Sequence, residues 1–178
     1  MTNMTYNSQA YPVFTAISSS TIQIPNNNQV NVTGSGITLE QILYKTNTIT
    51  ATPLHKEVQY TLQINSSGGI SYADSSLWSY ATFGYHGTSL TPNIYHHLVA
   101  VKRSNNIVSI YVDGKLIISK SFGSAITSTA NPLYIGAYAG SSQYFNGLIP
   151  VTRIYNRDLS EGEILDNYNH YKTRFNLP

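Results

Sequence analysis

The chain has no cysteine among its 178 residues, so it can build neither a disulfide framework nor a thiolate metal site. Charge is scarce as well. Lys, Arg, Asp and Glu make up only 10% of the sequence, well under the usual ~25%. The net charge of +2 is spread thinly, with no run of Lys or Arg. Nucleic-acid binding dominated by phosphate contacts needs a basic stripe, so that class is set aside. No stretch approaches the roughly 18 apolar residues of a membrane span, so membrane insertion is not expected. The opening "MTNMTYNSQAYPVF" also lacks the basic start and apolar core of a secretory signal.

What is present is a hydrophobic fraction of 41%, fifteen tyrosines, one tryptophan and abundant Ser, Thr and Asn. Low charge with that much apolar content describes a folded chain with a neutral, hydrogen-bonding surface, not a disordered one. The length fits one domain with a substantial core. Asn3, Asn31 and Asn65 begin N-x-Ser/Thr triplets. A chain this rich in those residues produces such triplets by chance, and they say little about glycosylation.

Hydrophobic periodicity is that of strands. "YPVFTAI", "TIQIP" and "QVNVT" are short, β-branched and separated by Ser or Asn clusters. "GITLEQILY" (36–44) puts Ile37, Leu39, Gln41 and Leu43 on one face. "EVQYTLQIN" (57–65) does the same with Val58, Tyr60, Leu62 and Ile64. "ISYAD", the aromatic segment "LWSYATFGY" (77–85) and "IYHHLVAVKR" (94–103) read as further strands. In "IVSIYVDGKLIIS" (107–119), Asp113-Gly114 between alternating apolar runs is a hairpin signal, since both central residues of a type I′ turn need positive φ. Asp113 is therefore read as a turn residue, not as an acid, base or calcium ligand. Val108, Ile110 and Val112 then share a buried face, with Tyr111 opposite. "NPLYIGAY" and "YFNGLIPVTRIYN" complete the β portion.

One helix is expected from Ser160, which forms a capping box with Glu163 and precedes an apolar face of Ile164, Leu165 and Tyr168. About a dozen short strands plus one short C-terminal helix define an all-β fold, a two-sheet antiparallel β-sandwich. Its expected extent is 11–170, with an N-terminal arm at 1–10 and a tail at 171–178.

With the strands in order, four stretches carry a resemblance: "FTAISSSTIQIPNNNQVNVTGSGITLEQILY", "YHHLVAVKRSNNIVSIYVDGKLI", "LYIGAY" followed by "YFNGLI", and "VTRIYNRDLSEGEI". Together they resemble the concanavalin A-like lectin/glucanase superfamily in its laminin-G-like jelly-roll branch, over about residues 11 to 168. The resemblance implies a jelly roll. It also implies strand tryptophans where this chain has Ile42 and Tyr95, both packing positions. Relatives commonly place acids where this chain has Thr15, Pro150 and Val151. Those acids supply oxygen to Ca²⁺, so their loss argues against a family-type calcium site, and no cofactor is expected.

Polysaccharide hydrolysis, known in other branches, needs two carboxylates about 5–9.5 Å apart. Hydrolases of this superfamily supply them from one strand. No strand here contains two of the eight acids Glu40, Glu57, Asp74, Asp113, Asp158, Glu161, Glu163 and Asp166. Glu40 alone is read as structural, beside Tyr or Arg, and the chain as non-enzymatic. His96 and His97 are adjacent on a strand, so they point to opposite faces and cannot chelate one ion. The aromatic excess points to surface recognition. Trp78 and Tyr80, on one expected strand face, and Tyr138 and Tyr144, flanking "AGSSQ", are the candidate ligand or interface residues. A ring beside hydroxyls or amides suits stacking on a sugar, and equally a protein interface.

Stand-alone laminin-G-like domains without a signal occur in phage structural proteins. The resemblance therefore implies a virion-surface role, a structural or decoration protein reaching the outside by lysis. Its partners would be other virion proteins or copies of itself, and cell-surface glycan. The alternative is a lectin-like host-attachment domain.

Overall fold

The computed structural model describes residues 4–16, 18–34, 36–77, 80–87 and 90–178. The strands are β1 (Thr5–Tyr6), β2 (Pro12–Phe14), β3 (Ile22–Ile24), β4 (Ile37–Lys45), β5 (Ala51–Lys56), β6 (Tyr60–Ile64) and β7 (Ile70–Asp74), followed after α1 (Tyr80–Phe83) by β8 (Tyr95–Lys102), β9 (Ile107–Val112), β10 (Lys115–Ser121), β11 (Leu133–Ile135) and β12 (Gly147–Tyr155). Helix α2 (Glu161–Phe175) closes the chain. A seven-stranded antiparallel sheet, β1-β2-β12-β4-β8-β9-β10, packs on a five-stranded one, β3-β11-β5-β6-β7. The result is the expected β-sandwich.

Alternation decides what fills the space between the sheets. Leu39, Leu43, Ala100, Val108 and Ile110 from the larger sheet meet Leu54, Leu62, Tyr72 and Leu133 from the smaller, all fully or almost fully buried. Gln41 shares that inward face of β4 as its position predicts. Its Nε2 donates to Pro53 O and Thr152 Oγ1, both at 3.1 Å, across the core. The Asp113-Gly114 turn forms with φ of +51° and +73°, as the sequence implies. Ser160 caps α2 with the reciprocal Glu163 bond.

Several expectations need correction. Strand β5 contains Pro53, which argues against a central strand. The register nevertheless shifts between Ala51 and Leu54, and the proline sits within that irregularity. Pro150 is accommodated the same way, between Leu148 and Val151 of β12. Val58 does not share the face of β6. It occupies the β5–β6 turn at φ +54° and is 48% exposed. Within 77–85, residues 80–83 are helical, and Gly84 at φ +83° ends the turn. That turn directs Phe83 into the core, edge-on to Tyr72 and Phe122.

The ends are also more firmly held than an arm and a tail. Thr5 pairs with Val13, so β1 is an edge strand. Helix α2 runs past residue 170, because Tyr171 and Phe175 extend the buried stripe begun by Ile164 and Tyr168. Leu165, expected on that stripe, is 47% exposed.

Candidate functional site

The outer face of the seven-stranded sheet is closed by α2. Ile42, in the position of a family tryptophan, is buried under Tyr168, Tyr171 and Phe175, with Tyr95 alongside. Val99, Val101 and Tyr111 pack beneath Leu159 and Ile164. Glu40 lies in the same layer with its side chain wholly buried. Its Oε1 accepts from His97 Nε2 at 2.8 Å, and its Oε2 accepts from Tyr155 OH at 2.8 Å and Asn167 Nδ2 at 3.4 Å. Arg153 Nη1 stands 3.8 Å away. Burial pushes the Glu40 carboxyl up, but the hydrogen bonds from His97 and Tyr155 with the nearby positive charges outweigh it and hold the group below its ordinary range. Glu40 is thus structural, as its isolation in sequence implies.

Strand β8 turns its two histidines to opposite sides. His97 faces Glu40 and stacks on Tyr168. His96 pairs through Nδ1 with Asp113 Oδ2 at 2.7 Å, while Asp113 Oδ1 accepts from the His97 backbone N–H at 2.9 Å. Asp113 therefore makes the turn and also fastens it to the start of β8, a contact that turn chemistry alone does not predict. Among the described residues no three His, Asp or Glu side chains gather as a metal site.

The outer face of the five-stranded sheet is different. Apart from Ala73, its outward positions are polar or aromatic: Gln23, Tyr134, His55, Thr61, Gln63 and Ser71. Among the described residues no helix of that length lies on it. Instead, residues 138–143 fold over it as a tight loop, with Tyr138 N–H donating to Ser142 O at 2.9 Å. The loop needs Gly140, at φ +69°, since a Cβ there would meet the Tyr134 ring at 2.7 Å. Tyr138 packs on His55 with ring centroids 4.2 Å apart. Burial pushes the His55 imidazole down despite Glu57, whose Oε2 lies 3.0 Å from Nε2. Because a carboxylate only accepts, Nε2 carries the proton.

Beyond this stack, Gln143 Oε1 accepts from Thr52 Oγ1 at 2.6 Å and from Gln63 Nε2 at 2.5 Å, and Tyr85 OH donates to Gln63 Oε1. An aromatic platform and a cluster of amides, hydroxyls and a carboxylate thus share one face, with Ser141, Ser142 and Gln143 exposed on its rim.

Of the four sequence candidates, Tyr138 is at the centre of this face. Tyr144 folds back on the loop, its OH donating to Gly140 O at 3.2 Å. Tyr80 begins α1, so the shared strand face expected for it and Trp78 is replaced by helix at that position. Trp78 lies outside the described residues. His55, Glu57, Gln63 and Gln143 were not singled out: His55 and Glu57 are only two positions apart, but Gln143 reaches Gln63 and Thr52 through the fold alone.

Two antiparallel sheets of seven and five strands with one C-terminal helix define a β-sandwich of jelly-roll type. The chain belongs to the concanavalin A-like lectin/glucanases superfamily, whose laminin-G-type model matches residues 17–165. No curated protein sequence matches it. Among solved structures it is similar to a putative carbohydrate-binding protein of Bacteroides ovatus, with TM-score 0.69 and 16% identity, over 86% of this chain and 45% of that one. It is also similar to the CBM40 domain of a Ruminococcus gnavus sialidase bound to α2,3-sialyllactose, with TM-score 0.60 and 14% identity, over 84% of this chain and 98% of that one. A structure of botulinum neurotoxin type C described with two ganglioside molecules gives TM-score 0.69 and 11% identity, over 95% of this chain and 45% of that one. The chain spans about half the length of the first and last of these.

Proposed function

We propose that this domain is a non-enzymatic binding module that takes a cell-surface glycan on the outer face of the five-stranded sheet. The observation that carries the reading is the Tyr138 ring held against His55 beside the Thr52–Gln63–Gln143 cluster. A ring fixed by stacking offers an apolar platform to the C–H face of a sugar, and nearby amides and carboxylate read its hydroxyls. Carbohydrate binding by proteins of the same fold supports it. So does the engagement of the acids. Glu40 is committed to His97 and Tyr155, Asp74 to Lys102, Asp113 to His96 and Glu163 to the α2 cap, which leaves them poorly placed for hydrolysis. Thr15, Pro150 and Val151 stand where relatives carry calcium-ligating acids, which supports binding without a metal cofactor.

The test is a glycan array with the purified chain, repeated with Tyr138→Ala and with chelator. Expected are binding by the parent chain, loss of at least tenfold in affinity in the variant with an unchanged melting temperature, and no effect of chelator. Turnover of any polysaccharide, or full binding by Tyr138→Ala, defeats the reading.

A second reading is assembly on a bacteriophage virion surface, against other virion proteins or copies of the same chain. It is favoured by the exposed Leu116 and Leu165, each nearly half accessible and both beside the Asp113-Gly114 turn. In that case the parent chain forms a stable oligomer in solution and the array is blank.

A further inference from the structure

At the end of the sandwich where β4 stops and β5 begins lies a cavity of about 240 Å³, lined by Lys45, Asn47, Thr48, Ser66, Ser67, Gly68, Leu90 and Pro92. Lys45 is the last residue of β4 and falls on its inward face, so its stem is buried and the residue is only 3% exposed. An ammonium has three donors. Two of these are used, and both acceptors, the carbonyl O and Oδ1 of Asn47, are neutral. None of the eight acids lies within salt-bridge distance of Lys45.

The other buried lysines clarify what is unusual. Lys102 has a counterion, Asp74 Oδ2 at 2.5 Å. Lys56 has none, but it is 0% exposed and its Nζ is taken up by Asn26 Oδ1 and Asn131 O. Of these three, Lys45 lines the cavity described above. Burying a cation without an opposite charge is costly unless a partner arrives.

We propose that this cavity is the specificity pocket for an acidic sugar, with Lys45 receiving the sugar's carboxylate. The proposal rests on the glycan reading and names the class of glycan. A carboxylate entering the cavity meets the third ammonium donor in a charge-assisted hydrogen bond. Thr48, Ser66 and Ser67 supply hydroxyls, and Leu90 and Pro92 supply apolar wall for the ring. At this size the cavity holds a single ring, since sites for larger ligands run to about 300–1,000 Å³. It also adjoins the Tyr138 face. The 65–69 turn carries the lining residues Ser66 to Gly68. Asn65 Oδ1 holds that turn by accepting from Ser67 N and Gly69 N, and a Cβ at Gly69 would lie 3.2 Å from the Tyr85 Cβ. Tyr85 in turn donates to Gln63 of the face.

Burial pushes the Lys45 ammonium down to about 8, which makes the pocket's charge pH-dependent. Among the described residues no other titratable side chain lines it. On β8 the inward-facing titratable groups are His96, held by Asp113 and Thr91 O, and Lys102, paired with Asp74 at the far end of the strand. Gly147 of β12, opposite Lys45, has no side chain.

The experiment is calorimetric or NMR titration with glucuronate, glucose and acetate, on the parent chain, Lys45→Met and Tyr138→Ala. Glucuronate should bind at least tenfold more tightly than either glucose or acetate, and Lys45→Met should remove that preference. In the parent chain, glucuronate affinity should fall about tenfold per pH unit above roughly 8, as the uncharged lysine loses the anion. The pH series decides the matter if Lys45→Met fails to fold. Equal affinity for glucose, equal affinity for acetate, or binding unchanged up to pH 9.5 overturns the proposal. If neutral glycans bind and only Tyr138→Ala weakens them, this pocket fails while the glycan reading stands. If no glycan binds at all, both fail.

Discussion

On the outer face of the seven-stranded sheet, Glu40 and His97 are shut beneath a fifteen-residue helix with half-buried Tyr155 at the edge, and their partners lie in the sheet and helix themselves. On the outer face of the five-stranded sheet, Thr52, Gln63 and His55 are equally buried, but what covers them is a short loop whose own Ser141, Ser142 and Gln143 are exposed. Both layers are polar, and both are hydrogen-bonded. The difference lies in the cover. The Glu40–His97 pair sealed by a packed helix can only stabilise, because reaching it requires removing the cover that includes Tyr168, Tyr171 and Phe175. A cluster closed by a loop presents its edge to solvent and to ligands. Burial alone therefore does not separate structural from functional polar groups; the element that causes the burial does.

The largest effect should come from breaking the sealed cluster. Glu40→Ala leaves His97, Tyr155 and Arg153 around a cavity without their shared acceptor. The donors on His97 and Tyr155 lose their acceptor, and each orphaned buried donor costs about 1–3 kcal/mol. Because the folded Glu40 carboxyl is held below its ordinary range, its contribution is present above that range and lost as pH falls through the folded value. Urea denaturation at pH 7 should show the full loss, and at pH 3 the gap between parent and variant should narrow. A loss under 1 kcal/mol at pH 7 would mean that the network is not what holds this layer together.

Next comes the cover itself. Phe175→Ala removes a ring that contacts Tyr11, Tyr95 and Tyr171 at centroid distances of 5.2 to 5.8 Å. The expected loss is about 3 kcal/mol, at the low end for a buried Phe because the site lies at the last helical turn. Amide exchange should accelerate in α2 while the five-stranded sheet keeps its protection. Uniform acceleration through both sheets would show that the two faces are not energetically distinct.

How much of this was legible in the sequence follows from range. The β4 face, the Asp113-Gly114 turn and the Ser160–Glu163 cap are local, and each was readable because its chemistry acts over two to four residues. Strand β5 was hidden because Pro53 signals against a strand, and the irregular register that tolerates it is a tertiary feature. The aromatic run at 77–85 alternates like a strand, but Gly84 and the core's demand for Phe83 make residues 80–83 helical. Tyr138 was visible as an aromatic beside a polar loop. Its partners were not: Gln143 meets Gln63 from 80 positions away and Thr52 from 91. No spacing rule spans such distances. Lys45 was equally silent, since one lysine at a strand end carries no sign of whether an acid will reach it.

The smallest stability effect should come from the loop-covered face, and there the comparison is sharpest. Gln143→Ala removes the acceptor shared by Thr52 and Gln63. In a sealed core, two orphaned donors would cost several kcal/mol. Here Gln143 is itself exposed, so water can take its place, and the change should be about 1 kcal/mol or less. Glycan affinity should respond differently. Without Gln143, the Gln63 amide keeps only the Tyr85 hydroxyl to orient it, and the donors and acceptors that read the sugar lose their fixed positions. Affinity should fall about tenfold while the melting temperature moves by no more than a few degrees. Glu40→Ala should show the reverse, a large loss of stability with glycan affinity kept by the molecules that remain folded. Measuring both quantities on both variants gives a crossed pattern if the helix-covered face stabilises and the loop-covered face binds. A Gln143→Ala chain that loses stability as heavily as Glu40→Ala would show that the loop is a structural cover like α2, and the binding face would have to be sought elsewhere on the sandwich.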